Sequence, residues 1–190
     1  MPDLPMTNPD PHAPLMGDPP PTPARRRALR CGLAAAAWLA AGSAQALDAP
    51  KGKVVLSVVG LVGQTNADKR ADFDMAMLEA LPQHSFTTAT PWFKEPKRFT
   101  GPLLRDVLAA AGAKGTALRA VALNDYKVEI PVDDAMKYKV VMATRLDGQP
   151  MPVREKGPLF IIYPYDESAD LRSERFYSRS AWQLRTLEVR

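Results

Sequence analysis

Between Gly157 and Val189 the chain concentrates side chains suited to holding an anion. Arg172, Arg175 and Arg179 can present guanidinium forks to a phosphate or a carboxylate, with Tyr163, Tyr165 and Tyr177 as walls and Ser178 or Ser180 as extra donors. The same stretch carries Asp166, Glu167, Asp170 and Glu174, so the arginines have a competing use in pairing with their own neighbours and holding the segment in shape. Both uses stay open at this level. Tyr126, in the turn Asn124-Asp125-Tyr126, is a further candidate wall, whereas Asn124 and Asp125 are accounted for by the turn itself.

Other chemistries are excluded by what the chain lacks. Cys31 is the only cysteine, and it sits in a segment expected to be removed on export. The mature protein would then have no disulfide, no thiolate metal ligand and no thiol nucleophile. His84 is the one histidine after the N-terminal region, no Gly-x-Ser-x-Gly elbow is present, and a zinc site cannot be assembled from so few ligands. The carboxylate pairs Asp72 with Asp74 and Asp133 with Asp134 stand where helices would begin, so capping explains them. From Leu47 onward 21 Lys and Arg face 18 Asp and Glu. That balance, with the bases scattered rather than interleaved with aromatics, argues against a nucleic-acid partner.

Nine of the nineteen prolines precede Arg25, and residues 1–24 have too few large aliphatic side chains to offset the entropy of ordering. A disordered tail is expected there. Residues 25–46 follow the order of a secretory signal: Arg25, Arg26, Arg27 and Arg30, then an apolar run from Gly32 to Ala41, then Ala44-Gln45-Ala46. The run is shorter than the ~20 residues that span a bilayer. Cleavage after Ala46 is expected, giving a periplasmic or secreted protein with no transmembrane segment in the mature chain. The arginine cluster is also compatible with a twin-arginine export route.

Residues 47–190 must then supply one domain that positions the candidate site. Lys53 to Leu61 reads as a β-branched strand, and Asp74 as the N-cap of a helix bearing Met75, Leu78 and Leu81 on one face and ending at Pro82. Ser85 to Thr90 is a short strand, Pro91 to Pro96 an irregular connection, and Thr100-Gly101-Pro102 the opening of a second helix stopped by Gly112. A hairpin is expected around Asn124-Asp125, one helical turn at Asp133 to Met136, a strand at Lys139 to Leu146, and a turn at Asp147-Gly148. Pro150 and Pro152 suit an edge. Leu159 to Tyr163 reads as a buried strand at the sheet centre, Pro164 to Ser180 as a polar loop. Trp182 to Val189 closes the chain as a strand whose inward face changes phase near Thr186, the mark of a bulge or a change of neighbour.

The segments LSVVGLVGQ, LEALPQH, FTGPLLRDVLAAAG, ALNDYKVEIPVDDA, LDGQPM, KGPLFIIYPYD and WQLRTLEV, in that order, resemble the oxidoreductase molybdopterin-binding domain of the sulfite oxidase family. The resemblance implies a mixed α+β fold on a mostly β scaffold with short helices. It also implies a molybdopterin, whose metal catalytic relatives bind through the pterin dithiolene and one protein cysteine in or soon after the strand that is here Phe86 to Thr90. Threonines stand at that place, and a hydroxyl, protonated at neutral pH, does not substitute for a thiolate. The expectation is therefore an exported, non-catalytic domain of this fold with no cofactor, binding a small anionic ligand or a partner protein, periplasmic or a membrane receptor. The alternative is a molybdopterin-dependent oxidoreductase that holds its cofactor without a cysteine ligand.

Overall fold

The computed structural model describes residues 47–190. The proline-rich segment 1–24, the expected export signal 25–46 and Cys31 lie outside the described residues. Among the described residues eleven strands and four short helices make a mixed, mostly β architecture, as expected.

The largest sheet has five strands in the order β2-β1-β11-β5-β6. These are β1 (Val54–Gly60), β2 (Arg70–Asp74), β5 (Ala117–Ala122), β6 (Lys127–Pro131) and β11 (Leu184–Val189). Strand β1 runs parallel to β11, and the other pairings are antiparallel. In β1 the period-2 pattern turns Leu56 and Val58 fully inward. The phase change near Thr186 is a real irregularity: Leu184 pairs with Ala122 and Thr186 with Val121, so Arg185 is extra in the ladder.

A second sheet, β3-β4-β8-β9, joins Gln83–Thr88, Lys97–Pro102, Arg145–Leu146 and Gln149–Pro150. Pro150 lies in its edge strand, where a missing N–H does no harm. The third sheet has two strands, β7 (Val141–Ala143) and β10 (Phe160–Ile162). The helices are α1 (Met75–Ala80), α2 (Leu104–Ala110), α3 (Val132–Lys137) and α4 (Glu174–Arg179), with single 3-10 turns at Val153–Glu155, Tyr165–Glu167 and Ala169–Leu171.

Four expectations need correcting. The apolar run Leu159 to Tyr163 is wholly buried, but it is not the centre of the large sheet; β11 is. Strand β10 pairs with β7 on one side, and on the other the run exchanges hydrogen bonds with the chain entering β11: Ile161 donates to the Ala181 carbonyl, and Leu184 donates to that of Leu159. An apolar run demands cover on both faces, and a small inner sheet provides it as well as a large one. Thr100-Gly101-Pro102 ends strand β4 instead of opening a helix, and α2 starts at Leu104. Gly101 lies against the Met142 and Ala143 backbone, where any Cβ would collide, so close strand packing is what that glycine serves. Lys139 to Leu146 is split between β7 and β8, which belong to different sheets. The supposed polar loop Pro164 to Ser180 is mostly helical, as two 3-10 turns followed by α4.

Asp74 caps α1 as expected, its carboxylate accepting from the Met77 N–H at 2.8 Å. Gly112 (φ 60°) stops α2 and Asp125 (φ 63°) turns the β5–β6 hairpin.

Candidate functional site

The stretch from Tyr163 to Trp182 does bring its tyrosines, arginines and serines to one region, but it divides them between an interior cluster and two surface clefts. Beneath the surface, the Tyr163 phenol donates to Asp134 Oδ2 at 2.8 Å, and Arg179 donates to the same oxygen at 2.8 Å. The Arg179 and Asp134 side chains are only 16% and 8% exposed. Tyr165 shares a hydrogen bond with Ser180, whose hydroxyl also reaches the Phe176 carbonyl at 3.1 Å. Burial, reinforced by the Asp134 charge, pushes the Tyr163 phenol far above the ordinary tyrosine range, and burial also pushes Tyr165 up. Both are fixed, protonated hydrogen-bonding groups rather than acids or nucleophiles.

The three arginines do not face one point. Arg179 is committed to Asp134. Arg172 donates through Nε to the Tyr165 carbonyl at 3.2 Å and pairs with Asp166 at 3.1 Å. Arg175, four residues before Arg179 on α4, lies with it over the Phe176 ring, the two guanidiniums 5.1 and 5.5 Å from its centre. Local self-pairing thus holds for Arg172 with Asp166, while Arg179 reaches a distant acid that capping alone had seemed to explain.

The first cleft, about 310 Å³, lies between the β5–β6 hairpin, α4 and the turn after β3. Its walls are Trp92, Asn124, Tyr126, Glu174, Tyr177, Ser178, Ser180 and Trp182. The Tyr126 hydroxyl donates to the Ser178 carbonyl at 2.9 Å and so fastens the hairpin to α4. Trp92 is the hub, with its ring 5.4 Å from Trp182, 6.0 Å from Tyr177 and 5.5 Å from Phe160. Lys156 places its ammonium 4.1 Å from the Trp182 ring centre, and burial lowers its pKa. A second cleft of about 310 Å³ is lined by Ala89, Thr90, Pro91, Asp166, Arg172 and Tyr177, so Tyr177 borders both.

Of the residues expected to bind, Tyr126, Tyr177 and Ser180 line the first cleft, and Arg172 with Tyr177 the second. Tyr163, Tyr165 and Arg179 form the buried support, and Arg175 lines neither. Sequence reasoning missed Trp92, Trp182 and the placement of Glu174. The available signal was a tryptophan in the proline-flanked segment PWFKEP, where a large aromatic has no regular element to explain it.

The second cleft adjoins the end of β3. There Thr88, 1% exposed, accepts from the Asp166 N–H at 3.2 Å, while the Ala89 N–H donates to Asp166 Oδ2 at 2.8 Å. This pair of bonds clasps β3 to the turn after β10.

A family model described as the oxidoreductase molybdopterin binding domain matches residues 49–168. The chain belongs to that family. The match takes in the segments through KGPLFIIYPYD, whereas α4, Trp182 and WQLRTLEV lie beyond it. No curated protein matches the sequence. Among solved structures, the sulfane dehydrogenase SoxCD from Paracoccus pantotrophus superposes with a TM-score of 0.53 at 19% identity, over 70% of this chain and 37% of that one. The likeness is one of fold, and this chain spans little more than a third of that protein's length.

The family implies a molybdopterin, and the side chains present do not fit its metal. Within Phe86 to Thr90, the strand in or soon after which the resemblance expects a thiolate, the Thr88 hydroxyl is buried and already hydrogen-bonded to the protein. For the phosphate of the pterin, the second cleft supplies one cation, Arg172, and the first supplies none.

Proposed function

We propose that this chain is an exported, non-catalytic binding domain on the molybdopterin-oxidoreductase scaffold, periplasmic or secreted, that takes a small anionic ligand beside Arg172. The observation that carries this reading is the clasp between Thr88, Ala89 and Asp166, which fills with protein hydrogen bonds the place where the resemblance expects a metal-binding cysteine. Arg172 uses only part of its donor fork on Tyr165 and Asp166, and its side chain is 53% exposed, so further N–H groups are free for an incoming oxyanion. Thr90 and Tyr177 stand on the same walls as further donors.

The decisive experiment is metal and pterin analysis of the full chain purified from its own host. Folded protein with neither molybdenum nor pterin is expected. Stoichiometric molybdenum with released pterin would overturn the reading in favour of an oxidoreductase holding its cofactor without a cysteine. Titration with inorganic phosphate is expected to saturate, and Arg172→Ala to weaken it at least about tenfold, since charge-assisted hydrogen bonds contribute roughly 1.5–3 kcal/mol. Export is tested by fractionation and N-terminal sequencing, with Leu47 expected as the first mature residue.

A second reading, a protein partner, is favoured by a separate apolar groove of about 520 Å³ along β1 and the entry to β11. Val54, Leu123 and Val153 line it at 40%, 44% and 50% exposure, with Lys53 and Arg185 at its margin. A periplasmic protein or the outer portion of a membrane receptor would meet it there.

A further inference from the structure

We propose that the first cleft is a second binding site, of charge preference opposite to that of the Arg172 cleft, and that it takes a small organic ammonium ion. Its walls include four aromatic side chains, Trp92, Tyr126, Tyr177 and Trp182, and a single charged one, Glu174. No Lys or Arg is among them. The rings of Trp92 and Tyr177 stand at 80° to each other and those of Trp92 and Trp182 at 68°, so differently oriented ring surfaces meet around one space. Aromatic faces carry negative electrostatic potential, and a quaternary or alkyl ammonium set among several of them is attracted with little desolvation cost.

Two features of this chain strengthen the assignment. Glu174, exposed at the start of α4, has no ion-pair or hydrogen-bond partner among the described side chains, unlike Asp166, Glu167 and Asp134, which pair with Arg172, Lys139 and Arg179. An uncompensated carboxylate beside an aromatic cluster is the counter-charge such a ligand needs. The tryptophans also already attract a cation, since the Lys156 ammonium rests 4.1 Å from the centre of Trp182 and 6.0 Å from that of Trp92. Lys156 is not among the residues that line the cleft. Ser178, Ser180 and Asn124 supply hydrogen-bonding groups for a hydroxyl or similar polar tail. The volume of about 310 Å³ suits a ligand of the size of choline.

The test is a titration of the full chain, followed by tryptophan fluorescence and calorimetry, with choline and with its neutral carbon isostere 3,3-dimethylbutan-1-ol. Choline is expected to bind saturably and about tenfold more tightly than the neutral alcohol, the scale of a desolvated cation–aromatic contact. Glu174→Gln is expected to remove most of that preference while leaving the alcohol's weak binding and the unfolding midpoint unchanged. Equal affinity for the two probes, undiminished choline binding by Glu174→Gln, or no saturable response to choline would each overturn the proposal. Phosphate titration of the same protein reports on the Arg172 cleft separately, so the two sites fail or stand independently.

Discussion

The buried Tyr163–Asp134–Arg179 cluster and the aromatic cleft draw on the same kinds of side chain and largely on the same stretch of chain, yet they differ in what is left to do. In the cluster, one carboxylate oxygen accepts from both a phenol and a guanidinium, and all three groups are shielded from water. In the cleft, the Glu174 carboxylate is exposed and makes no ion pair with any described side chain. The difference is not composition but convergence. Where donor and acceptor are brought together by separate parts of the chain, the residue that follows β10, helix α3 and helix α4, the result is structural. Where acid and rings share a surface without pairing, the result is the cleft for which an ammonium ligand is proposed.

The sharpest way to break this contrast is to remove the centre of the cluster. Asp134→Ala leaves the Tyr163 phenol and the Arg179 guanidinium buried without their acceptor, and is expected to cost about 3 kcal/mol in urea unfolding. A loss below about 1 kcal/mol would show that the cluster is not the support described.

The next test uses two arginines on one helix. Arg179→Ala is expected to destabilise by roughly 2 kcal/mol, because it removes the partner of a shielded carboxylate. Arg175→Ala, one turn earlier and exposed, is expected to stay within about 0.5 kcal/mol of wild type. Equal effects would erase the distinction between the two faces of α4.

The smallest expected effect lies outside both regions, at a buried acid with a purely structural role, Asp74, which is 3% exposed. The Asp74 carboxyl is held below its ordinary value chiefly by the Met77 N–H, then by those of Gly52 and Lys51. A depressed folded-state pKa means the stabilisation is complete above the unfolded value of 3.8 and disappears as pH falls through the folded value. Stability followed from about pH 5 to about pH 2 should therefore decline less steeply in Asp74→Asn than in wild type. Identical acid limbs would remove Asp74 from the account.

Much of the scaffold was legible in the chain. The Asp74 cap, the Asn124-Asp125 turn, the Pro150 edge and the irregularity near Thr186 are local features, each dictated by a few residues acting on their own backbone. The position of Leu159 to Tyr163 was not legible, because total burial is compatible with any strand covered on both faces, and only long-range pairing decides which sheet provides the cover. The site was half legible for the same reason. Its tyrosines and arginines were visible as types, but Asp134, which determines that Arg179 is structural, comes from a different part of the chain. Glu174 was read as a partner for the arginines, and its place beside Trp92 and Trp182 depends on α4 having formed where a loop was expected.

The parallel pairing of β1 with β11 has a further consequence, for synthesis. Ser57 is bonded into register with Thr186, so the middle of the main sheet is closed by residues from the start and the finish of the domain. A nascent chain cannot complete that sheet until the region around Val189 has left the ribosome. Until then β1 and β5 each lack their shared inner neighbour and present open ladder edges. Chains shortened before Leu184 should accordingly accumulate as aggregates rather than as smaller folded domains, and a chaperone that shields strand edges should act late, after nearly all of this domain has been made.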